Sequence, residues 1–193
     1  MYADETRALL LAVTGADHVT ISGPGILRFA EKSAECGTRD NSRPARFTHI
    51  DVSDETAARF YTQSRPDNGR TIRRSAQYNV WRVISEPPQD VPLAVCDART
   101  LSQEDLITAD ALFDRDGEIV WSFEALLIRH NPRQRWNYFS DMRPDEALVF
   151  KTHDTDPDRA HHVAHGAFDD PGCPADAAPR ASIEMRGTAF WFE

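Results

Sequence analysis

The pattern of apolar and polar positions changes character near residue 71. Before it, ETRALLLAV (5–13) spaces its leucines along one face of a short amphipathic helix, which Thr14-Gly15-Ala16 should end. HVTISG (18–23) alternates as a strand does, and the polar, broken stretch 31–46 reads as a loop. FTHIDVS (47–53) is short and β-branched, and DETAARFYTQS (54–64) predicts a helix capped by Ser53 or Asp54. Beyond residue 71, strand-like runs recur at 76–84, 92–98, 118–130, 135–140, 146–153, 161–168 and 182–192. Clusters rich in proline, glycine and aspartate separate them, among them EPPQDVP, DRDG, HDTDPDR and DDPGCPADAAP. Many short strands with turns between them predict a mainly β protein, an antiparallel sandwich or barrel with a few flanking short helices. No internal repeat or compositional break divides the chain, so a single domain over 1–193 is expected.

Composition narrows the function classes. With 40% hydrophobic and 27% charged residues the chain has ordinary globular composition, which argues against disorder and coiled coil. The apolar run ALLLAV (8–13) is far too short for a bilayer span, and the acidic N-terminus lacks the basic start of a signal peptide. A net charge of -9 argues against sequence-independent binding of nucleic acid. Cys36, Cys96 and Cys173 form neither a CxxC pair nor a disulfide framework, so a reducing cytoplasm is the expected setting.

The candidate chemistry begins at His49-Ile50-Asp51. In a strand, positions i and i+2 share a face, so the imidazole and the carboxylate project together. A second histidine from another strand would complete a two-His-one-carboxylate face, which holds Fe(II) and leaves positions open. The spacing alone is weak: His49 also suits a strand end, and Asp51 a helix cap. Candidates for the distal ligand are His130, His153, His161, His162 and His165. His161 and His162 sit in a polar turn and read as solvated. His165 stands out by its surroundings, because a Pro/Gly/Ala loop after it leads to Arg180-Ala181-Ser182 at the start of the last strand. A guanidinium grips a planar carboxylate with two parallel hydrogen bonds, and Ser182 shares its face. Glu184 and Arg186 lie on that face too, where an internal ion pair is expected. Asn79 and Trp81 share a face of the 76–84 strand, with Asn79 a candidate to hydrogen-bond a cosubstrate. Asp97 with Arg99 reads as a structural ion pair, and Cys96 as packing.

Longer stretches carry a family resemblance. TGADHV (14–19), THIDVSDETAARF (48–60), YNVWRVI (78–84), PLAVCDART (92–100), RWNYFSDMRPDEALVFKTHD (135–154), AHGAF (164–168) and PRASIEMR (179–186) resemble the CmcJ/NvfI-like oxidoreductases. That family includes a cephamycin methoxylation component and fungal hydroxylase/desaturase proteins. The resemblance implies a double-stranded β-helix (jelly roll) and Fe(II)/2-oxoglutarate dioxygenase chemistry of secondary metabolism, hydroxylating or desaturating a small organic substrate with O₂. It places His49, Asp51 and His165 on the metal-ligand positions and Arg180 on the cosubstrate position. Relative to that family the chain is short at its N-terminus, which raises the expectation of a homo-oligomer formed through an uncovered sheet edge. Two rival readings are an accessory jelly-roll protein working with a partner enzyme, and a cupin-like metal hydrolase or isomerase using the same ligand face on water.

Overall fold

The computed structural model describes residues 2–39 and 42–193. Among these, ten strands form two antiparallel sheets. The smaller runs in the order β1 (His18–Phe29), β10 (Ala181–Phe192), β3 (Ile72–Val83), β8 (Leu148–Asp154). The larger runs β5 (Leu106–Arg115), β6 (Glu118–Ile128), β2 (His49–Ile50), β9 (His165–Ala167), β4 (Leu93–Cys96), β7 (Trp136–Tyr138). Strands adjacent in space but distant in sequence give the jelly roll that the resemblance implied.

Strand alternation divides the labour of the smaller sheet. Ala76 and Val80 of β3 and Ala189 and Trp191 of β10 cluster with Leu10 of α1 (Tyr2–Thr14) and with Val19. Gly187 shares this outer face. A Cβ placed on it would come within 2.7 Å of Leu10 Cδ1, so a larger residue here would have to displace that leucine side chain. The opposite face turns toward the larger sheet. It carries Asn79 and Trp81 from β3, and Arg180, at the entry to β10, with Ser182, Glu184 and Arg186; five of these six are at most 5% exposed. A hydrophobic cluster of Trp81, Val83, Met142 and Phe150, with Leu93 and Val163 packed on it, closes one end of the space between the sheets.

Most expected elements are present, with instructive differences. α2 is Asp54–Ser64, and its cap is Ser53, whose side chain accepts from the Thr56 backbone N–H. β1 does not stop at residue 23: it continues through Gly23-Pro24-Gly25 across a register shift between Ser22 and Ile26. It can do so because it is an edge strand, where a proline breaks no ladder on its open side. β5 is absent from the sequence reading. It is also an edge strand, partly or fully exposed along nearly all its length, so no buried face imprints a clear alternation on LITADALFDR. Its turn to β6 is the Asp116-Gly117 pair, both at positive φ (54° and 86°), as a tight hairpin requires. β2, β7 and β9 are shorter than their apolar runs. The polar stretch 31–46 forms turns and irregular chain where described, and its residues 40 and 41 lie outside the described residues.

The contact between α1 and β10 yields a test. Leu10→Ala should cost about 2–5 kcal/mol by leaving a cavity, and Gly187→Ala about 1–3 kcal/mol by overpacking. Because the two side chains compete for one space, the double variant should be more stable than the sum of the single losses predicts. Strict additivity in urea denaturation would show that Leu10 does not sit over Gly187.

Candidate metal centre

The register of the larger sheet brings together two histidines far apart in sequence. His49 of β2 pairs directly with His165 of β9, and their ring centroids lie 4.4 Å apart. Asp51 follows β2 by one residue and faces the same way. One ligand atom from each of His49, Asp51 and His165 lies within 4.8 Å of the others. Asp51 Oδ1 is 3.3 Å from His49 Nε2 and 3.6 Å from His165 Nε2.

Hydrogen bonds settle which atoms are available. His49 Nδ1 lies 3.0 Å from the Phe47 carbonyl, and His165 Nδ1 lies 3.2 Å from the Val163 carbonyl. A carbonyl only accepts, so both Nδ1 atoms carry the proton and both Nε2 atoms present lone pairs in the neutral ring. The outer oxygen of Asp51, Oδ2, accepts from Asn79 Nδ2 at 2.6 Å and faces Arg186 Nη2 at 3.4 Å. Oδ1 is thereby left to face the histidines. The set could hold a divalent metal on two imidazole nitrogens and one carboxylate oxygen, with each ligand oriented by a partner behind it. Burial pushes the Asp51 carboxyl up, but Arg186 and the two histidines outweigh it and hold the group well below the usual carboxylate range. Burial pulls His165 down, and the hydrogen bond and charge of Asp51 more than offset it, so its value is raised.

The two arginines of the last strand meet opposite electrostatic fates. Arg186 donates from Nε to Glu184 at 3.0 Å, the ion pair expected from alternation. Its reach to Asp51 was not legible from sequence. Burial lowers its pKa, but Asp51 and Glu184 raise it further. Arg180 is 2% exposed, and its guanidinium donates to Ser182 Oγ, while its Nε has no hydrogen-bond partner. Among the described residues no carboxylate pairs with this guanidinium. Burial, then the charge of Arg28, pulls Arg180 down to about 10. The guanidinium lies 5.7 Å from the Trp81 ring, and Arg180 lines a recess together with His49, Asp51 and His165. A buried cation with a spare donor, beside a metal-competent triad, suits an anionic ligand.

Arg28 of β1 also lines this recess, and sequence reasoning missed it. Its signal lies in the pairing: Arg28 stands opposite Ser182 across the β1–β10 ladder, which no local pattern announces. From His49 and Asp51 a cavity of about 710 Å³ opens outward, with walls that include Ile21, Ile26, Phe60, Phe113, Trp121 and Phe123. Elsewhere, Asp97 pairs with Arg99 at 2.7 Å, and Cys96 is buried. His130 lies in an exposed loop. His161 differs from its reading as solvated, since its Nε2 lies 2.8 Å from Asp54 Oδ1. His162 is half-buried, and burial followed by the charge of His161 brings it down to about 4.

Comparison with known proteins agrees with this geometry. The Oxidoreductase/YMDC permease-like domain (YDMC) family matches residues 1–190. The Fe(II)/2-oxoglutarate-dependent dioxygenase NvfI of Aspergillus novofumigatus is 32% identical over 98% of this chain and 66% of its own length. The hydroxylase/desaturase CTB9 of Cercospora beticola is 32% identical over 98% of this chain and 63% of its own. The solved structure of the iron and alpha-ketoglutarate-dependent endoperoxidase NvfI superposes with a TM-score of 0.83 at 29% identity, covering 100% of this chain and 69% of that one. The chain thus spans about two thirds of the length of these relatives.

Replacing His49, Asp51 or His165 by Ala should abolish tight Fe(II) binding at this centre. Asn79→Ala should weaken it about 10–100-fold, the usual cost of losing a group that orients a ligand. His130→Ala should leave it unchanged. If anaerobic calorimetry gives Asn79→Ala the Fe(II) affinity of the unmodified chain, Asn79 does not orient Asp51.

Proposed function

The chain belongs to the Oxidoreductase/YMDC permease-like domain family, alongside NvfI-like Fe(II)/2-oxoglutarate dioxygenases, and on that premise we propose that it is a non-haem iron oxygenase acting on a small organic metabolite. His49, Asp51 and His165 would hold the iron. The observation that carries this reading is Arg180: a buried guanidinium with an unpartnered Nε, in the same recess as the triad, is costly unless an anion completes it. A cupin-type hydrolase has no use for such a group. When bound, iron with 2-oxoglutarate and O₂ supplies the oxidising power for hydroxylation or desaturation.

The chain's own residues contribute binding and orientation. Arg180, with Ser182 at its side, would hold the far carboxylate of 2-oxoglutarate, since a guanidinium suits a planar carboxylate. Trp81 beneath the guanidinium keeps water from that pair. Asn79 and Arg186 hold Oδ2 of Asp51, so that Oδ1 stays turned toward the metal position. The cavity of about 710 Å³ falls in the range of small-molecule sites, and its aromatic and aliphatic walls suit a predominantly apolar substrate. They also exclude water from the reacting centre, which suppresses side reactions.

The setting proposed is cytoplasmic, in keeping with three cysteines that are all free thiols and with the absence of any described helix long and apolar enough to cross a membrane. Exposed Leu112, Ile119 and Val120 on the β5–β6 hairpin support a homo-oligomer, with no nucleic-acid partner.

Anaerobic titration should show a metal-to-ligand charge-transfer band only when Fe(II) and 2-oxoglutarate are both present. Its absence at saturating concentrations would refute the reading. Arg180→Lys should raise the 2-oxoglutarate concentration for half-saturation of that band roughly tenfold or more, about 1.4 kcal/mol, because a point charge replaces a fork. Fe(II) affinity should hold. Arg186→Lys should do the reverse, loosening Fe(II) through Asp51 and sparing the cosubstrate. The opposite assignment of the two effects would move the carboxylate to Arg186.

A further inference from the structure

A second set of metal-ligating side chains converges close to the first. Asp54 opens α2, His153 lies near the end of β8, and His161 lies in the segment leading to β9. One ligand atom from each lies within 4.8 Å of the others. His161 Nε2 is 2.8 Å and His153 Nε2 is 3.7 Å from the same oxygen, Asp54 Oδ1, and the two rings meet edge to face with centroids 4.6 Å apart. We propose that Asp54, His153 and His161 form a second divalent-cation site, of the Zn²⁺ class, separate from the Asp51 centre.

The donor set is the first argument. Two imidazoles and one carboxylate, with room for water, are ligands that zinc and its first-row neighbours accept. Spacing is the second. Ligand atoms about 2.05 Å from a tetrahedral ion stand about 3.3 Å from one another. The two nitrogen-to-oxygen separations, 2.8 and 3.7 Å, fall on either side of that value. An Asp54–His161 hydrogen bond explains the shorter contact only. It leaves unexplained why a third element delivers His153, too far for a hydrogen bond, to the same oxygen.

The surroundings permit an ion. Asp154, next to His153, is already taken by Arg74 and Lys151, each at 2.6 Å, so it does not draw the imidazole away. The Asp54 side chain is 80% exposed, which leaves solvent to complete the coordination sphere. The start of α2 opposes a cation, but at an exposed position such a helix end is a small effect beside three ligand bonds. The position gives the site a structural task. Asp54 follows Asp51 by three residues and His161 precedes His165 by four, so one ion would tie together the two segments that present those ligands.

The test is equilibrium dialysis of tag-free, metal-free protein against Zn²⁺, with metal analysis. In the His49→Ala/His165→Ala variant, which lacks two ligands of the first centre, one equivalent should remain bound. Adding His161→Ala should weaken that equivalent on the order of 100-fold, and Asp54→Asn at least about tenfold, since a lost ligand costs no less than a lost ligand-orienting group. Co²⁺ in the same background should give visible d–d absorption that His161→Ala removes. Should the double variant fail to fold, the unmodified chain should bind two equivalents and His161→Ala one. If His161→Ala and Asp54→Asn leave Zn²⁺ stoichiometry and affinity unchanged, the site does not exist. A His161-dependent equivalent in a chain whose His49→Ala change loses nothing would support this site and count against the iron centre instead.

Discussion

One backbone pairing sets where chemistry can occur: His49 of β2 against His165 of β9. Both strands are very short, and their alignment is shared with their neighbours: β9 pairs with β4 at Leu93, Ala94 and Val95, and β2 with β6 at Leu126 and Leu127. Their approach to each other is close. A Cβ on Gly166 would lie 3.1 Å from the Phe47 carbonyl, so a larger residue there would have to push the neighbouring backbone away by a few tenths of an ångström. A one-residue slip would turn His165 to the far face of the sheet and dissolve the triad. The Nδ1 bonds to Phe47 and Val163 then hold each ring against the backbone two residues upstream, so that orientation, as well as position, is decided by backbone.

The charges around that pairing are distributed unevenly. Asp51 is overcompensated: Asn79, Arg186 and two histidines all address one buried carboxylate. Arg180 is undercompensated: it has a hydroxyl and an aromatic face, Asp90 and Glu31 act on its guanidinium only through space, and among the described residues no carboxylate pairs with it. Burial, then the charge of Arg28, lowers it from the ordinary guanidinium value to about 10. The sequence of β10 achieves this contrast by spacing alone. Glu184 sits two residues from Arg186 and pairs with it through the guanidinium, whereas the neighbour two residues from Arg180 is Ser182, which cannot neutralise a charge. Stability is given up at one end of the strand and recovered at the other.

Periodicity and motif order reveal one part of this and conceal another. Strands with a buried face, such as β3 and β10, announce themselves by alternation, α1 by the spacing of its leucines, and α2 by its cap. The edge strand β5 does not, because solvent on its sides removes the pattern. The triad residues are legible because His49 and Asp51 are local and His165 is followed at a fixed order by Arg180-Ala181-Ser182. The partners that aim them are not. That Asn79 donates to Asp51, that Arg186 touches Asp51, and that Arg28 stands opposite Ser182 are facts of strand register. Register is a property of pairs of segments, which no single segment contains. The meeting of Asp54, His153 and His161 is hidden for the same reason, with three residues in three elements and no shared motif.

Alternation also explains how a chain can carry so strained a site and still fold. β10 is buried along nearly its whole length, yet its two faces do opposite things. Its odd positions from 185 to 191 pack a dry apolar layer under α1, where Leu10 and Trp191 are almost fully enclosed. The even positions from 182 to 186, with Arg180 ahead of them, turn polar and charged groups into the space between the sheets, where several are held against their preference for water. Each buried methylene on the outer face contributes about 0.8 kcal/mol, which works against the cost of burying Arg180. The two layers are adjacent through the backbone of a single strand, so the packing that stabilises the fold also stiffens the strand on which Arg180, Ser182 and Arg186 are mounted. A soft outer layer would leave those groups free to turn toward solvent, and the inner face would lose its organisation before the fold was lost.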